Sequence, residues 1–253
     1  MFLHKLTLSA VAAASALTLF AAPAVAADII VPGANAGQSG GSNNFMPFDL
    51  ADGVSQRYQQ FYNSSAFGDA PVTLYGIKFR LATTGGTPGA PFDALIDNIT
   101  INLSTAATDL AAASLTFAAN VGADNTTVFD GPLHLTSTSP TKTSGVQPFD
   151  VLIQFENPFV YDPTKGDLLL DVFNFSGGET GLFDYITGGS DMLTRVVGRQ
   201  GGVNDTTAFF QQRAGLVTAF ATTPVPEPAT WALMISGFGL AGAALRRRRE
   251  RAA

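Results

Sequence analysis

The chain contains no cysteine. In an exported protein that excludes a disulfide framework, so stability has to come from a hydrophobic core; it also removes thiol catalysis and thiolate metal sites. Histidine is nearly absent as well. Of the two present, His4 lies at the extreme N-terminus and only His134 belongs to the body of the chain. That scarcity removes most hydrolase and metalloenzyme chemistries, which lean on imidazole as base or ligand. Basic residues are also few where it matters. Of 14 Lys and Arg, Arg246, Arg247, Arg248, Arg249 and Arg251 fall in the last eight positions, so residues 27–223 hold eight against 18 Asp and Glu, a formal balance of −10 that the whole-chain −6 conceals. Such a surface repels a phosphate backbone and excludes a nucleic-acid partner. Long amphipathic helical patterns are missing too. The nearest, "TAATDLAAASLTF", is alanine-rich enough for a turn or two of helix.

What is present divides into a body and two processing segments. The N-terminus has a short basic head with Lys5, an apolar run from Leu6 to Phe20, and the small-residue triplet Ala24-Val25-Ala26. This is the layout of a secretory signal peptide over residues 1–26, cleaved between Ala26 and Ala27 with Ala24 and Ala26 as the recognised small residues; the plainer reading is an uncleaved N-terminal anchor. Residues 27–44, rich in Gly, Ser and Asn, read as a flexible leader without apolar period.

The body, residues 45–223, is long enough for one core. Its signal is a period of two. Ile77, Phe79 and Leu81 alternate with Lys78, Arg80 and Ala82; Ile99, Ile101 and Leu103 with Thr100, Asn102 and Ser104; Phe149, Val151, Ile153 and Phe155 share a face opposite Asp150, Gln154 and Glu156. Such alternation describes half-buried strands. "RYQQFY", "SLTFAA", "TTVFDGPLHLTS", "DMLTRVVG" and "GLVTAF" are further strand candidates, and the nearly unbroken apolar run of "DLLLDVFNF" suits a strand covered on both faces. About ten short strands with frequent turns predict an all-β, antiparallel two-sheet sandwich of jelly-roll type.

Candidate chemistry is sparse. "GQSGG" (Gly37 to Gly41) has the spacing of a nucleophile elbow but lies in coil, without the preceding strand and following helix that an elbow needs. His134 falls between Leu133 and Leu135 and so points to the opposite, solvent-facing side of its strand. Asp162, Asp167 and Asp171 around one turn, and Asp184 and Asp191 around Gly188-Gly189, are candidate loop carboxylates for calcium, of which Asp162, Asp167, Asp184 and Asp191 are the weak metal candidates; none matches the regular calcium loop, and turns favour Asp for its own hydrogen bonding. No other cofactor is expected. Asn63, Asn98, Asn102, Asn125, Asn174 and Asn204 head N-x-[ST] triplets, which arise readily by chance in so polar a chain.

The C-terminal segment 224–253 is the most specific stretch. Pro224, Pro226 and Pro228 hold the chain extended, Glu227 precedes an apolar run from Ala229 to Leu245, and Arg246, Arg247, Arg248 and Arg249 follow at once. Those 17 apolar residues make a transmembrane helix (229–245) about 25 Å long, a little under the ~30 Å hydrocarbon core that arginine snorkelling accommodates. The arginines stop transfer through the Sec translocon and remain on the cytoplasmic side of the inner membrane, which leaves the body outside.

Pro226-Glu227-Pro228 followed by Trp231-Ala232, the apolar run and the arginines resembles the PEP-CTERM sorting signal in its PEPxxWA form, a segment also labelled the ice-binding protein C-terminal domain. The resemblance covers about 28 residues from Val225 on. It implies a Gram-negative envelope protein cut near the motif by an exosortase, a multi-pass membrane enzyme, and then released to the cell surface or an extracellular polysaccharide matrix. A plain single-pass anchor is the simpler alternative. On these readings the chain is expected to be non-enzymatic, a structural or adhesive surface component linked to exopolysaccharide. The alternatives are a carbohydrate-binding module that stacks sugars on Tyr58, Phe61 or Tyr62, and a hydrolase that uses paired carboxylates in a cleft.

Overall fold

The computed structural model describes residues 27–223. The expected signal peptide (1–26) and the sorting segment with its helix 229–245 lie outside the described residues. Among the described residues no helix is long and apolar enough to cross a membrane.

The described chain is all-β, with antiparallel strands throughout. Three sheets replace the expected two. The largest has six strands: β3 (Gln56–Tyr62), β5 (Phe92–Thr105), β6 (Thr126–Ser137), β8 (Leu168–Asn174), β10 (Leu193–Val197) and β11 (Phe210–Gln212), ordered β11-β10-β3-β8-β5-β6. A four-stranded sheet of β1 (Ile29–Val31), β4 (Val72–Phe79), β7 (Val151–Tyr161) and β13 (Thr218–Ala221) has the order β1-β13-β4-β7. A small third sheet sets β9 (Phe183–Ile186) between β2 (Gly41–Asn44) and β12 (Gly215–Leu216).

The main core joins all three sheets. Phe79, Ile153, Tyr161 and Phe220 of the four-stranded sheet share one cluster with Tyr58, Ile101, Leu135 and Val172 of the six-stranded sheet and Phe183 of the small one. The alternation read from the sequence is what builds it. Ile77 and Phe79, Ile99, Ile101 and Leu103, and Val151 and Ile153 are all buried, while Gln154 and Glu156 face solvent. One bulge corrects a parity error in β5: Ile96 pairs with Leu133 but Ile99 with Gly131, so an extra residue on β5 lets both isoleucines reach the core side.

The six-stranded sheet is covered on its other face as well. Segment 106–122, with a 3₁₀ turn at Leu110–Ala112 and the single-turn helix α1 (Phe117–Asn120), lies over it, and Phe61, Leu169 and Val196 pack there with Leu110, Phe117 and Ala208. The double cover explains the unbroken apolar run of β8. It also corrects the expectation of a strand at "SLTFAA", where Phe117 enters α1 and Thr116 only bridges to Thr207. The close return of this segment requires a glycine: a Cβ at Gly122 would lie 1.7 Å from the Thr105 carbonyl oxygen.

The leader of residues 27–44 is not a free tail. Ile29–Val31 pair with β13 and Gly41–Asn44 with β9, and Val31 is fully buried. The intervening polar loop has too few apolar side chains to hold itself. It is held instead by an arginine forty residues away, described below.

Candidate functional site

The calcium candidates do not converge. Asp162 opens the 3₁₀ turn at Pro163–Lys165, accepting from the Thr164 hydroxyl at 2.7 Å and the Thr164 amide at 3.1 Å, and the Thr164 hydroxyl is the chief influence that holds its carboxyl below the usual range. Asp167 accepts the backbone amides of Ser64 (2.9 Å) and Leu110 (2.8 Å) with its two oxygens. Asp191 pairs with Arg213 on the surface. Asp184 is buried and fully engaged. Among the described residues no three His, Asp or Glu side chains gather as a metal site would require.

Asp184 organises the leader. Its Oδ2 accepts from Arg80 Nε at 2.8 Å, and its Oδ1 accepts from Ser39 Oγ and the Gly40 amide, both at 2.9 Å. Arg80, the largest fully buried side chain, also donates through Nη2 to the carbonyls of Asn35 (2.8 Å) and Gln38 (2.6 Å), and its guanidinium lies 4.7 Å above the Phe149 ring. Every donor of the loop that reaches this point meets an acceptor. Ser39 of "GQSGG" is therefore a structural hydroxyl, bonded to Asp184 and Thr84 rather than to an imidazole. His134 faces solvent on β6, as expected, with its Nε2 against Asp93 across the β5–β6 ladder.

Tyr58, Phe61 and Tyr62 are not a sugar platform. All three are fully buried, Tyr58 and Tyr62 in the main core and Phe61 under segment 106–122. Burial pushes both phenols upward, and each hydroxyl is satisfied internally, Tyr58 donating to Gln60 at 2.6 Å and Tyr62 lying 3.1 Å from Thr218. Segment 106–122 is pinned by a polar group on the same face: Arg57 makes a two-pronged pair with Asp171 (3.0 and 2.6 Å) between the rings of Phe117 and Phe173, and Gln59 links Asp171 to Asn120.

The site that sequence reasoning missed lies at the N-terminal end of β3. Met46, Gln56, Gly198, Arg199, Gln200, Phe209 and Phe210 line a cleft of about 410 Å³. Phe209 is 59% exposed, although large apolar side chains in this domain are mostly enclosed. The Arg199 guanidinium lies 4.8 Å from its ring centroid and has no carboxylate within ion-pair distance among the described residues. At the floor, Gln56 is 1% exposed; its Nε2 donates to the Gly198 carbonyl at 2.9 Å, and its Oε1 has no donor. A buried acceptor without a donor costs about 1–3 kcal/mol. One signal was available: consecutive phenylalanines in a strand point to opposite faces, so one of Phe209 and Phe210 had to look outward unless covered.

A second cleft of about 320 Å³ is lined by Asp52, Gly53, Leu95, Asp97, Ser176 and Gly177. Both carboxylates are exposed to solvent.

The ends of the described chain meet. β1 runs antiparallel to β13, with Ile29 opposite Phe220, and the Thr222 hydroxyl donates to the Ala27 carbonyl at 3.3 Å. The expected cleavage position at Ala27 thus adjoins the last described residue, Thr223. Ala24, Ala26, the motif residues Pro226, Glu227, Pro228, Trp231 and Ala232, and the arginines Arg246, Arg247, Arg248 and Arg249 lie outside the described residues. Compared with known families, residues 224–249 match the PEP-CTERM protein-sorting motif. That motif implies export of the chain and processing by an exosortase, a membrane enzyme. No curated protein and no solved structure matches the chain.

Proposed function

We infer that this chain is a non-enzymatic surface component: an exported β-domain delivered to the cell surface or an extracellular polysaccharide matrix after its tail is cut, where it acts as a structural or adhesive element. The observation that carries this reading is the sorting motif, which begins at residue 224, three residues beyond the end of β13. The absence of cysteine and the acidic body are compatible with life outside the cell, where the domain relies on its core and stays soluble through net charge. A signal peptide in front and a stop-transfer segment behind would hold both ends at the inner membrane until processing, with the domain outside.

The test is the intact mass of the protein recovered from the surface and medium of its own host, together with a variant carrying alanine at Pro226, Glu227 and Pro228. Sorting requires a wild-type C-terminus near Pro228 without the arginines, and retention of the full-length variant in the membrane fraction. A wild-type C-terminus at Ala253 in the membrane fraction would leave only an anchored outward-facing domain.

The carbohydrate-binding alternative gains one specific observation, the exposed Phe209 cleft, although the aromatics first named for it are buried. The hydrolase alternative has less behind it. Asp52 and Asp97 share a cleft wall, but both are solvated, without the apolar enclosure that prepares a general acid.

A further inference from the structure

We propose that the cleft formed by Gln56, Arg199 and Phe209 is a binding site for a neutral sugar chain of the β-linked glucan type. This rests on the surface-display reading only for where the ligand is met. Three features of the cleft carry the inference, and each is otherwise unexplained. Phe209 is 59% exposed, and the Arg199 guanidinium lies 4.8 Å from its ring centroid, which puts a donor fork next to an exposed apolar ring. Arg199 makes no side-chain hydrogen bond or ion pair among the described residues, and Asp205, in the same turn, stays beyond ion-pair distance of it. The Gln56 Oε1 at the floor lacks a donor although the side chain is buried and its Nε2 is fixed by the Gly198 carbonyl.

A ligand that answers all three is flat and apolar on one face and carries hydroxyls at its edges. Sugar rings with equatorial hydroxyls have that shape: their axial C–H face stacks on an aromatic ring, and their hydroxyls both donate, as Gln56 needs, and accept, as the guanidinium needs. Charge decides between neutral and acidic chains. With a formal −10 over residues 27–223, the domain repels a polyanion before it reaches a single arginine, whereas a neutral chain meets no such barrier. The volume of about 410 Å³ lies in the range of small-ligand clefts.

The protein purified from its host is titrated with cellohexaose and, separately, with an oligogalacturonate of the same length, and the two titrations are repeated with F209A and R199A. Expected is saturable cellohexaose binding with a Kd of about 1 mM or tighter, weaker oligogalacturonate binding, and a loss of roughly tenfold in cellohexaose affinity for each variant at unchanged Tm. F209Y should keep the affinity, because the platform remains. No saturable cellohexaose binding, binding that survives either alanine substitution, or tighter binding of the oligogalacturonate would each overturn the proposal. The outcome is independent of tail processing, so a failed titration leaves the sorting reading standing, and an uncut tail leaves the cleft intact.

Discussion

Two arginines of the domain are used in opposite ways. Arg80 is fully buried against Asp184, and its Nη2 also reaches the carbonyls of Asn35 and Gln38. Arg199 is exposed, rests on Phe209 and has no acidic partner among the described residues. Lys142 and Arg195 likewise have no carboxylate partner, but Arg195 is tied to Gln212, whereas the Arg199 side chain makes no hydrogen bond among the described residues. The first arrangement engages both Asp184 oxygens and the Arg80 Nε and Nη2 donors in making structure, and it fastens a Gly/Ser/Asn-rich stretch beside the small sheet. The second leaves donors and an aromatic face open to an incoming molecule. Pairing thus separates residues that hold the fold from residues free to recognise something.

Substitutions that break the pairing test this separation. R80A should have the largest effect, a loss of about 3–5 kcal/mol, because it strands a buried carboxylate and two carbonyls; chemical denaturation measures it, and a loss under about 1 kcal/mol would erase the contrast. R57A should cost about 2 kcal/mol, since its two-pronged bond to Asp171 is partly solvated at the guanidinium, and should loosen segment 106–122, seen as faster amide exchange from Leu110 to Asn120. Asp49 is the acidic counterpart: half-buried beside Glu179, its carboxyl is raised chiefly by burial, against a hydrogen bond from the Thr180 backbone. A raised folded-state pKa means the carboxylate opposes folding once ionised, so stability falls as pH rises through that value. D49N should therefore stabilise the domain near pH 7, by under about 1 kcal/mol, and the gain should vanish on acidification below the ordinary Asp range. Smallest of all, F209A and R199A should leave stability within about 0.5 kcal/mol of the parent.

Most strands were legible because alternation is a local signal. "TTVFDGPLHLTS" is β6 from end to end, and the burial of "LLLDV" on both faces followed from its nearly unbroken apolar run, in which Asp171 is the one polar position. What escaped was non-local. Phe61, named from the sequence as a sugar-stacking aromatic, is buried because segment 106–122 folds over its face from about 45 residues away. β2 has no apolar residue of its own, and the loop before it is fastened by Arg80 and Asp184, a pair separated by 104 residues. Asp184 looked like a loop carboxylate because its partner could not be seen in the sequence. The cleft escaped for the same reason: Gln56, Arg199 and Phe209 come from three separate stretches, and only the Phe209-Phe210 doublet hinted at it.

The pairing of the first strand with the last has a mechanical consequence. β13 lies between β1 and β4, and the chain leaves it directly toward residue 224. A pull on Thr223 along the axis of β13 loads the ladders to both neighbours in shear. Bonds loaded in shear share the force and must yield together, whereas a strand peeled from an edge gives way one bond at a time. Phe220, locked between Tyr62 and Phe67 at ring distances of 4.9 and 5.3 Å, acts as a peg against sliding. Tension applied at residue 223 is thus carried by two neighbouring strands at once.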